Sequence, residues 1–306
     1  MKHLFRRFVA LLTLWLVLMG LSIAPATAEG GSPNRAKDFL RLGIEAFQKG
    51  DYPTAAENFS QSIHQDTTFA AAYSDRCLTY IHLEQYAEAL VDCDQALQLN
   101  PTDTEAYLNR GLAHYRANQP AEAVADFSQL LQLKPHDYRA YYNRGLAQVE
   151  LAAYREAIVD YGQALRQASP LDRAAQVEIY IDRGLAQLLL ENHPQAIADF
   201  TQAIQFNPDS RAYYNRGCAH HQQGNNVAAL SDFSQALEIN PNDAQTYLSR
   251  GLVRHELGEE QGAIADLQQA ATYFGNQGQM AAYQKTLNLL QKVQFTKVQF
   301  TSEAIG

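Results

Sequence analysis

The sequence is poor in cysteine and tryptophan, and it carries fewer basic than acidic residues. The three cysteines, Cys77, Cys93 and Cys218, are too few for a disulfide-rich scaffold in a chain of 306 residues. No CxxC pair or Cys/His cluster has the spacing of a zinc site, and no glycine-rich phosphate loop or nucleophile elbow is present. These absences predict a protein without a metal, a cofactor or catalytic residues, which is therefore not an enzyme.

The deficit of basic residues argues against nucleic acid as a partner. The chain has 24 lysine and arginine residues against 33 aspartate and glutamate residues, and three of the basic residues lie in the first 28 positions. The remainder carries 21 basic against 33 acidic residues, a net charge of −12. A surface of this charge repels phosphate backbones and anionic lipid head groups. We predict no nucleic acid partner, and contact with a membrane only if a hydrophobic leader is retained.

Residues 1–28 have the composition of a leader rather than of a folded domain. A basic start precedes an apolar run over residues 8–22, and Ala26, Thr27 and Ala28 supply a small-x-small cleavage site. These features predict a signal peptide cut after Ala28 and an exported protein, whether periplasmic, lumenal or secreted. The alternative is an uncut membrane anchor that leaves the rest of the chain outside the cytoplasm, since the stretch is long enough to span a bilayer.

Beyond the leader, the sequence is built from one repeated helix pair. Apolar and small residues recur at helical spacing over residues 140–151 and 156–168, and the break between them allows only a tight turn. The heptapeptide RAYYNRG at 139–145 returns unchanged at 211–217. A single pair of helices cannot bury both of its faces, so such units have to stack on neighbours. The pattern predicts an all-α array of stacked helix pairs.

The units keep one register along the chain. Each second helix carries an alanine, and successive alanines are 33, 34 or 39 residues apart: Ala55, Ala89, Ala123, Ala157, Ala196, Ala229 and Ala263. Each first helix carries a glycine or cysteine: Gly43, Cys77, Gly111, Gly145, Gly184, Gly217 and Gly251. Four units end on a proline, at Pro101, Pro135, Pro208 and Pro241.

A helix–turn–helix with Gly, Ala, an aromatic residue, Ala and Pro in this order resembles the tetratricopeptide repeat family. The resemblance extends over residues 36–274 and covers seven units. It implies an α-solenoid, a right-handed superhelix in which first helices line a concave groove and second helices form the convex back. The family's usual function implies a protein or peptide partner bound in that groove.

The register also sets the boundaries of the units. Residues 29–35 are predicted to be a linker, residues 276–293 a capping helix, and residues 294–306, which contain KVQFT twice, a flexible tail with a strand-adding motif as the alternative. The repeats cover about 36–69, 70–103, 104–137, 138–176, 177–209, 210–243 and 244–275. The fourth and fifth units are separated by five extra residues, which are either a tolerated insertion or a dedicated site, and we expect the next helix to begin early.

Six units place an arginine directly before the glycine or cysteine and an aspartate sixteen residues after that arginine. The pairs are Arg76 and Asp92, Arg110 and Asp126, Arg144 and Asp160, Arg183 and Asp199, Arg216 and Asp232, and Arg250 and Asp266. The first unit lacks both, having Leu42 and Asn58 instead. Across a tight turn this spacing brings the two side chains to the same level, so we predict structural ion pairs between the helices. An anion-binding ladder of arginines is the alternative.

The resemblance further implies which side chains face the groove. In the third, fourth and sixth units those positions combine an asparagine with tyrosine and arginine, and we predict a peptide-binding site at Asn109, Tyr115, Arg116, Arg139, Tyr142, Asn143, Arg211, Tyr214 and Asn215. Amides can bond the backbone of an extended peptide, while rings and guanidinium groups select its side chains. The Lys/Asn/Arg clamp with which family members hold chaperone C-termini is absent, because Leu40, Ile44 and Ser74 occupy matching positions.

The second unit departs from the pattern twice, with Cys77 in place of glycine and Cys93 in place of an aromatic residue. A larger residue facing a smaller one could conserve volume. The same pair could form a disulfide between the two helices if the Cα atoms lie within about 7 Å of each other.

We therefore predict an exported, non-enzymatic adaptor that binds a protein or peptide segment in the concave groove. The alternative is a membrane-anchored assembly factor that keeps its leader and holds subunits of an envelope or photosynthetic membrane complex. Family members do both, and retention of the leader separates the two hypotheses.

The fate of the leader can be read from fluorescence, because Trp15 is the only tryptophan of the chain. Protein isolated from its native compartment should show tyrosine emission alone if the leader has been removed. Tryptophan emission from the isolated protein would instead establish that residue 15 is retained and would favour the membrane-anchored alternative.

Overall fold

A computed structural model describes the backbone of residues 33–303 and the side chains of residues 34–294. The predicted leader at 1–28 and most of the predicted linker lie outside the described residues. Within the described part the chain is helical throughout, without strands, and none of its helices is long and apolar enough to cross a membrane.

Fifteen α-helices follow one another in the described part. They are α1 (Pro33–Gln48), α2 (Tyr52–Gln65), α3 (Ala70–His82), α4 (Tyr86–Leu99), α5 (Thr104–Arg116), α6 (Pro120–Leu133), α7 (Tyr138–Glu150), α8 (Tyr154–Gln167), α9 (Arg173–Leu189), α10 (His193–Phe206), α11 (Ser210–Gln222), α12 (Asn226–Ile239), α13 (Ala244–Glu256), α14 (Glu260–Asn276) and α15 (Met280–Glu303).

The first fourteen helices form seven antiparallel pairs, here called units 1 to 7, whose first helices have odd numbers. Each second helix packs on its own first helix and on the first helix of the next unit. Successive first helices also contact one another from α1 to α13, whereas no comparable contact joins successive second helices of the described array. The first helices therefore form the inner surface of a curved array, and the predicted all-α repeat solenoid is confirmed.

Local sequence explains where these helices begin and turn. Aspartate side chains cap several first helices; for example, Asp103 accepts bonds from the backbone N–H groups of Glu105 and Ala106, as an N-cap residue does. In each of the seven units, the second residue after the end of the first helix has a positive φ; these residues are Gly50, Glu84, Asn118, Ala152, Glu191, Gly224 and Gly258. That conformation closes the tight turn between the two helices.

The first-helix glycines admit an aromatic ring from the second helix of the same unit. A Cβ atom added at Gly111 would lie 2.5 Å from Phe127, and one added at Gly217 would lie 2.8 Å from Phe233, which are both closer than packed atoms come. The same contact recurs at Gly43 with Phe59, Gly145 with Tyr161, and Gly184 with Phe200. The rings are fully buried, so units 1, 3, 4, 5 and 6 have an aromatic core where the backbones are closest, while Gly251 of unit 7 faces Leu267.

In unit 2 a disulfide takes the place of the glycine and the ring. Cys77 and Cys93 are bonded across α3 and α4 with their Cα atoms 5.5 Å apart, and both side chains are fully buried. Of the two interpretations that the sequence leaves open, the structure has the covalent one. Cys218 is a free thiol in unit 6.

Each of the six arginines makes a two-pronged contact with the aspartate of its own second helix. The Nε and Nη2 atoms of Arg144, for example, lie 2.7 and 2.8 Å from the carboxylate oxygens of Asp160. The same pairs form at Arg76 with Asp92, Arg110 with Asp126, Arg183 with Asp199, Arg216 with Asp232, and Arg250 with Asp266. Each guanidinium group also lies over a tyrosine three residues earlier, 5.6 Å from the ring centre in the case of Arg110 and Tyr107.

The third nitrogen of most of these arginines reaches back to the preceding unit. Nη1 of Arg144 donates to Ser128 Oγ at 3.0 Å, and Nη1 of Arg110 donates to Asp94 Oδ1 at 2.7 Å. In the same way, Nη1 of Arg76 donates to Ser60, that of Arg216 to Thr201 and that of Arg250 to Ser234. Arg183 meets Gly162 at this position, where no hydroxyl is available. We call this arrangement the arginine clip, since it connects three helices of two units.

The junction between units 4 and 5 lengthens the next helix, as its five extra residues predict. Helix α9 has 17 residues, whereas α5, α7 and α11 each have 13. Asp172 caps its first turn by accepting a bond from the backbone N–H of Ala175. The added turn therefore extends α9 at its start, beyond the first helices on either side.

The C-terminal end differs from the prediction. The expected flexible tail at 294–306 is helical as far as Glu303, because α15 continues without a break from Met280 and packs against α14. The reason is visible in the sequence, since residues 279–303 contain neither proline nor glycine to end a helix. The linker expected at 29–35 likewise ends earlier, because α1 begins at Pro33.

Two glycines of unit 4 should respond oppositely to substitution. Gly145→Ala places a methyl group 2.6 Å from Tyr161 and should lower the stability by about 1–3 kcal/mol. Gly162→Ser has space, since its Cβ would lie 3.7 Å from Nη1 of Arg183; it adds helix propensity and completes the arginine clip, and should stabilise by about 0.5–1 kcal/mol. Urea unfolding followed by circular dichroism measures both, and a lower midpoint for Gly162→Ser would contradict this account of the clip.

Candidate functional site

The nine predicted groove residues lie on three first helices, α5, α7 and α11, at the inner surface of the array. The structure brings them to one face, but it does not leave them equally available. Several are already engaged by neighbouring side chains of the protein itself.

Asn109 was predicted to face a ligand, and the structure corrects this. Its side chain is buried, with 5% of its surface exposed, and its Nδ2 atom donates to the backbone carbonyl of Ser74 at 3.3 Å. Asn109 therefore joins α5 to α3 of the preceding unit. It belongs to the packing of the array because the first helices at this point are in contact.

Arg139 is held by carboxylates on either side of it. Its Nη2 atom lies 2.7 Å from Asp137 and from Glu105, and Glu105 belongs to the preceding unit. These hydrogen bonds, that of Asp137 first, raise the pKa of Arg139. The arginine is thus a link between α5 and α7, with its charge compensated.

Arg211 repeats this arrangement two units later. Its Nη2 atom lies 2.7 Å from Glu178, and its Nε atom lies 3.3 Å from Asp209. The sequence analysis did not recognise the ion pairs of Arg139 with Glu105 and of Arg211 with Glu178. Their signal is the alternation of Glu105, Arg139, Glu178 and Arg211 at one position of successive units.

Tyr142 also packs more closely than predicted. Its hydroxyl group donates to Asp182 Oδ2 at 2.7 Å, and its ring centre lies 6.0 Å from that of Tyr161. Burial, followed by the charge of Asp182, raises the pKa of Tyr142. The Nδ2 atom of Asn143 donates to the carbonyl of Arg139 in its own helix at 2.8 Å, which leaves its Oδ1 atom for other donors.

The remaining predicted residues vary in exposure. Arg116 is exposed, while Tyr115, Tyr214 and Asn215 are half-buried. The ring of Tyr214 lies 5.8 Å from Phe233, and burial is the main reason why its pKa rises to about 12. Burial likewise raises the pKa of Tyr115.

A cavity of about 400 Å³ opens where unit 4 meets the extended start of α9. We call it the junction cavity. Three predicted groove residues, Arg139, Tyr142 and Asn143, line it, together with Tyr138, Ala174, Ala175, Val177, Glu178, Ile179, Asn207 and Asp209. The wall therefore combines residues of α7 and α9 with the loop before α11, and the extra turn of α9 supplies part of it.

Apolar side chains adjoin the predicted residues on the inner surface of unit 5. Leu185 and Leu189 of α9 expose 37% and 54% of their surface, although both lie on a first helix between two other units. The sequence analysis did not include them in the site, because an exposed leucine cannot be distinguished from a buried one by helical spacing alone.

Two carboxylates occupy the position that holds asparagine in units 3, 4 and 6. Asp75 stands there in unit 2 and Asp182 in unit 5. Burial first, and then the charge of Asp103, raise the pKa of Asp75 to about 6. Burial also raises the pKa of Asp182, although the hydrogen bond from Tyr142 opposes the rise. The inner surface thus contains partly desolvated negative charge.

Family models described as tetratricopeptide repeat match residues 70–103, 108–173, 177–210 and 210–243. Together these segments account for more than half of the chain.

Curated relatives match over a short stretch. Stress-induced-phosphoprotein 1 of Caenorhabditis elegans and mitochondrial import receptor subunit TOM34 of Homo sapiens are each 36% identical over 63 residues, which are 21% of this chain. The match spans 20% of the length of either relative, about one fifth.

Solved structures match over a longer stretch at lower identity. A tetratricopeptide repeat protein from Parabacteroides merdae superposes with a TM-score of 0.60 at 19% identity, over 83% of this chain and 99% of its own. The type IV pilus biogenesis factor PilW gives 0.58 at 22% identity, over 67% and 93% of the two chains. YrrB, described as having an unusual peptide-binding site, gives 0.51 at 23%, over 59% and 91%. At these identities the likeness is one of fold.

The raised pKa of Asp75 predicts a pH-dependent effect of Asp75→Asn. The wild-type carboxyl loses its proton at a higher pH in the folded than in the unfolded state, so its ionisation costs stability as the pH rises from about 4 to about 6. The substitution should therefore stabilise by about 1–3 kcal/mol at pH 7 and have little effect near pH 3.5. Thermal unfolding at both pH values, with the exposed Glu57→Gln as control, measures this; an equal gain at both would contradict it.

Proposed function

Because the chain belongs to the tetratricopeptide repeat family, we propose that it is a non-enzymatic scaffold that binds an extended segment of a partner protein along the inner surface of units 3 to 6. The fold is one that generally serves protein interaction rather than catalysis. The observation that carries the proposal is the junction cavity, which opens on the inner surface that also carries the exposed leucines of α9.

Extended peptides need two things from a surface, and units 4 to 6 offer both. Pockets that alternate with apolar contacts hold side chains, and unpaired polar atoms bond the backbone. The junction cavity supplies a pocket, and the exposed Leu185 and Leu189 supply apolar contacts. Asn143 Oδ1 and the half-buried Asn215 can supply the polar atoms that bond the peptide backbone. Asn109 is not part of this set, and Arg139 and Arg211 shape the surface as compensated ion pairs.

The outer surface offers less for such a segment. Val91, Val159 and Val227 are well exposed on the second helices of units 2, 4 and 6, and Leu133 and Ile239 are partly exposed as the last residues of second helices in units 3 and 6. Isolated apolar residues of this kind are common on any protein surface. The cavity of about 340 Å³ beside Val159 is lined mainly by charged and amide side chains. The wall of the junction cavity also contains Tyr138, Tyr142, Val177 and Ile179, which favours the inner surface as the binding face.

The comparisons support the proposal at a general level. YrrB has the same fold and a peptide-binding site by its description, and TOM34 is named as an import receptor subunit. Both descriptions apply to those proteins. For this chain they support binding of a protein segment and leave the partner to be found.

We also propose that the repeats lie outside the cytoplasm. The composition of residues 1–28 and the bond between Cys77 and Cys93 support this independently, since disulfides persist mainly in oxidising compartments. The fluorescence of Trp15 tests whether the leader has been removed. The number of free thiols in the isolated protein tests whether Cys77 and Cys93 are bonded.

The proposal predicts that substitutions on the inner surface weaken partner binding without unfolding the array. Leu189→Ser and Asn143→Ala should each weaken binding by about 1–2 kcal/mol, as central interface residues do, and should change the melting temperature little because Leu189 is exposed and Asn143 bonds only its own helix. Capture of partners from the native extract with wild-type and variant chains, quantified by mass spectrometry, measures the loss.

Matched substitutions on the outer surface serve as controls. Glu156→Ala and Arg166→Ala lie on α8, a second helix, and should leave capture unchanged. If these variants lose the partner while Leu189→Ser and Asn143→Ala retain it, binding takes place on the outer surface and the proposed site is wrong.

A further inference from the structure

We propose that the junction cavity receives a lysine or arginine side chain of the bound segment. The inference rests on the proposed function and adds the chemistry of the partner to it. The sequence-based site emphasised arginines, which would suit an acidic segment, whereas the cavity points to a basic one.

Among the charged side chains that line the cavity or bond to its lining residues, acidic residues predominate. Arg139 and Arg211 are the two cations of this set. The carboxylates are Glu105 and Asp137 on Arg139, Glu178 and Asp209 on Arg211, Asp172 on Tyr138, and Asp182 on Tyr142. Six carboxylates thus stand against two cations, or three when Lys134 beside Asp137 is included.

The internal ion pairs leave part of the negative charge of these carboxylates uncompensated. Each of the two arginines is shared by two carboxylates, so each group retains one negative charge. Asp172 and Asp182 receive side-chain hydrogen bonds from tyrosine hydroxyls, at 3.0 and 2.7 Å, rather than from cations. A positively charged occupant would compensate these carboxylates, and pairing with the half-buried Asp182 is stronger than pairing with a fully solvated carboxylate.

The shape of the cavity suits a long basic side chain. Tyr138 and Tyr142 form the α7 wall, while Ala174 and Ala175 leave space on the α9 side. Tyrosine rings can contact the methylene groups of lysine or arginine and attract the charged end. Because both hydroxyl groups donate their protons to carboxylates, their oxygen atoms remain available as acceptors for the N–H groups of an occupant.

An acidic occupant would meet the opposite situation. It would have to approach Glu178, Asp182 and Asp209 while the nearby arginines are already bonded to carboxylates. Like charges in a partly desolvated site repel each other strongly. The cavity therefore discriminates against an acidic side chain of a bound segment.

Selection from a random nonapeptide display library tests the proposal on the full 306-residue chain. Peptides that bind the wild type should contain arginine or lysine at one aligned position with at least fivefold enrichment over the unselected library. Replacement of that arginine by citrulline, a neutral analogue of similar shape, should weaken the binding of a labelled peptide at least tenfold in fluorescence anisotropy.

Three variants locate the effect. Asp182→Asn removes one charge and keeps an acceptor for Tyr142, and Ala174→Leu narrows the cavity at an exposed position, so both should fold and lose the enrichment. Glu156→Gln removes one charge from the outer surface and should keep the enrichment of basic peptides. Basic peptides selected equally by all three variants would reflect general attraction to an acidic protein and would overturn the proposal.

The remaining outcomes separate this inference from the scaffold proposal. Selected peptides that are acidic or neutral, and that still lose binding on Leu189→Ser, would refute the basic occupant and leave the inner surface as the binding face. A selection that yields no peptide above a control without protein would contradict both proposals.

Discussion

The arginine clip is the interaction on which the regularity of the array depends. One guanidinium group fixes the two helices of its own unit through a bidentate contact with aspartate, and in most units it also bonds the second helix of the preceding unit. A half-buried charge is stable only when its partners are in place, so the clip enforces one spacing between units. Unit 1 shows the converse, since no unit in the described part precedes it and Leu42, with 40% of its surface exposed, replaces the arginine.

The glycine–aromatic contact complements the clip within most units. The clip sets the distance between units, and the ring against a bare backbone sets the distance between the two helices of one unit. Unit 2 instead joins its two helices with a fully buried disulfide whose Cα atoms are 5.5 Å apart.

The candidate site arises where this regularity is relaxed. Units 4 and 5 are joined by extra residues, α9 gains a turn, and Gly162 leaves the clip of Arg183 incomplete. The junction cavity opens at the same point, between α7 and the start of α9. A solenoid of identical units would offer the same surface everywhere along its length, whereas one irregular junction creates a local pocket with its own charge.

The sequence by itself determined the architecture, because a repeat in register contains the same information several times. The seven helix pairs, the pairing of each arginine with the aspartate sixteen residues later and the early start of α9 all follow from local spacing. Only the tertiary structure decided which inner side chains are available. Asn109 is buried against Ser74, Arg139 and Arg211 are compensated by carboxylates, and Leu189 is exposed. These properties depend on contacts between residues about 34 positions apart in neighbouring units, and helical spacing within one unit does not report them.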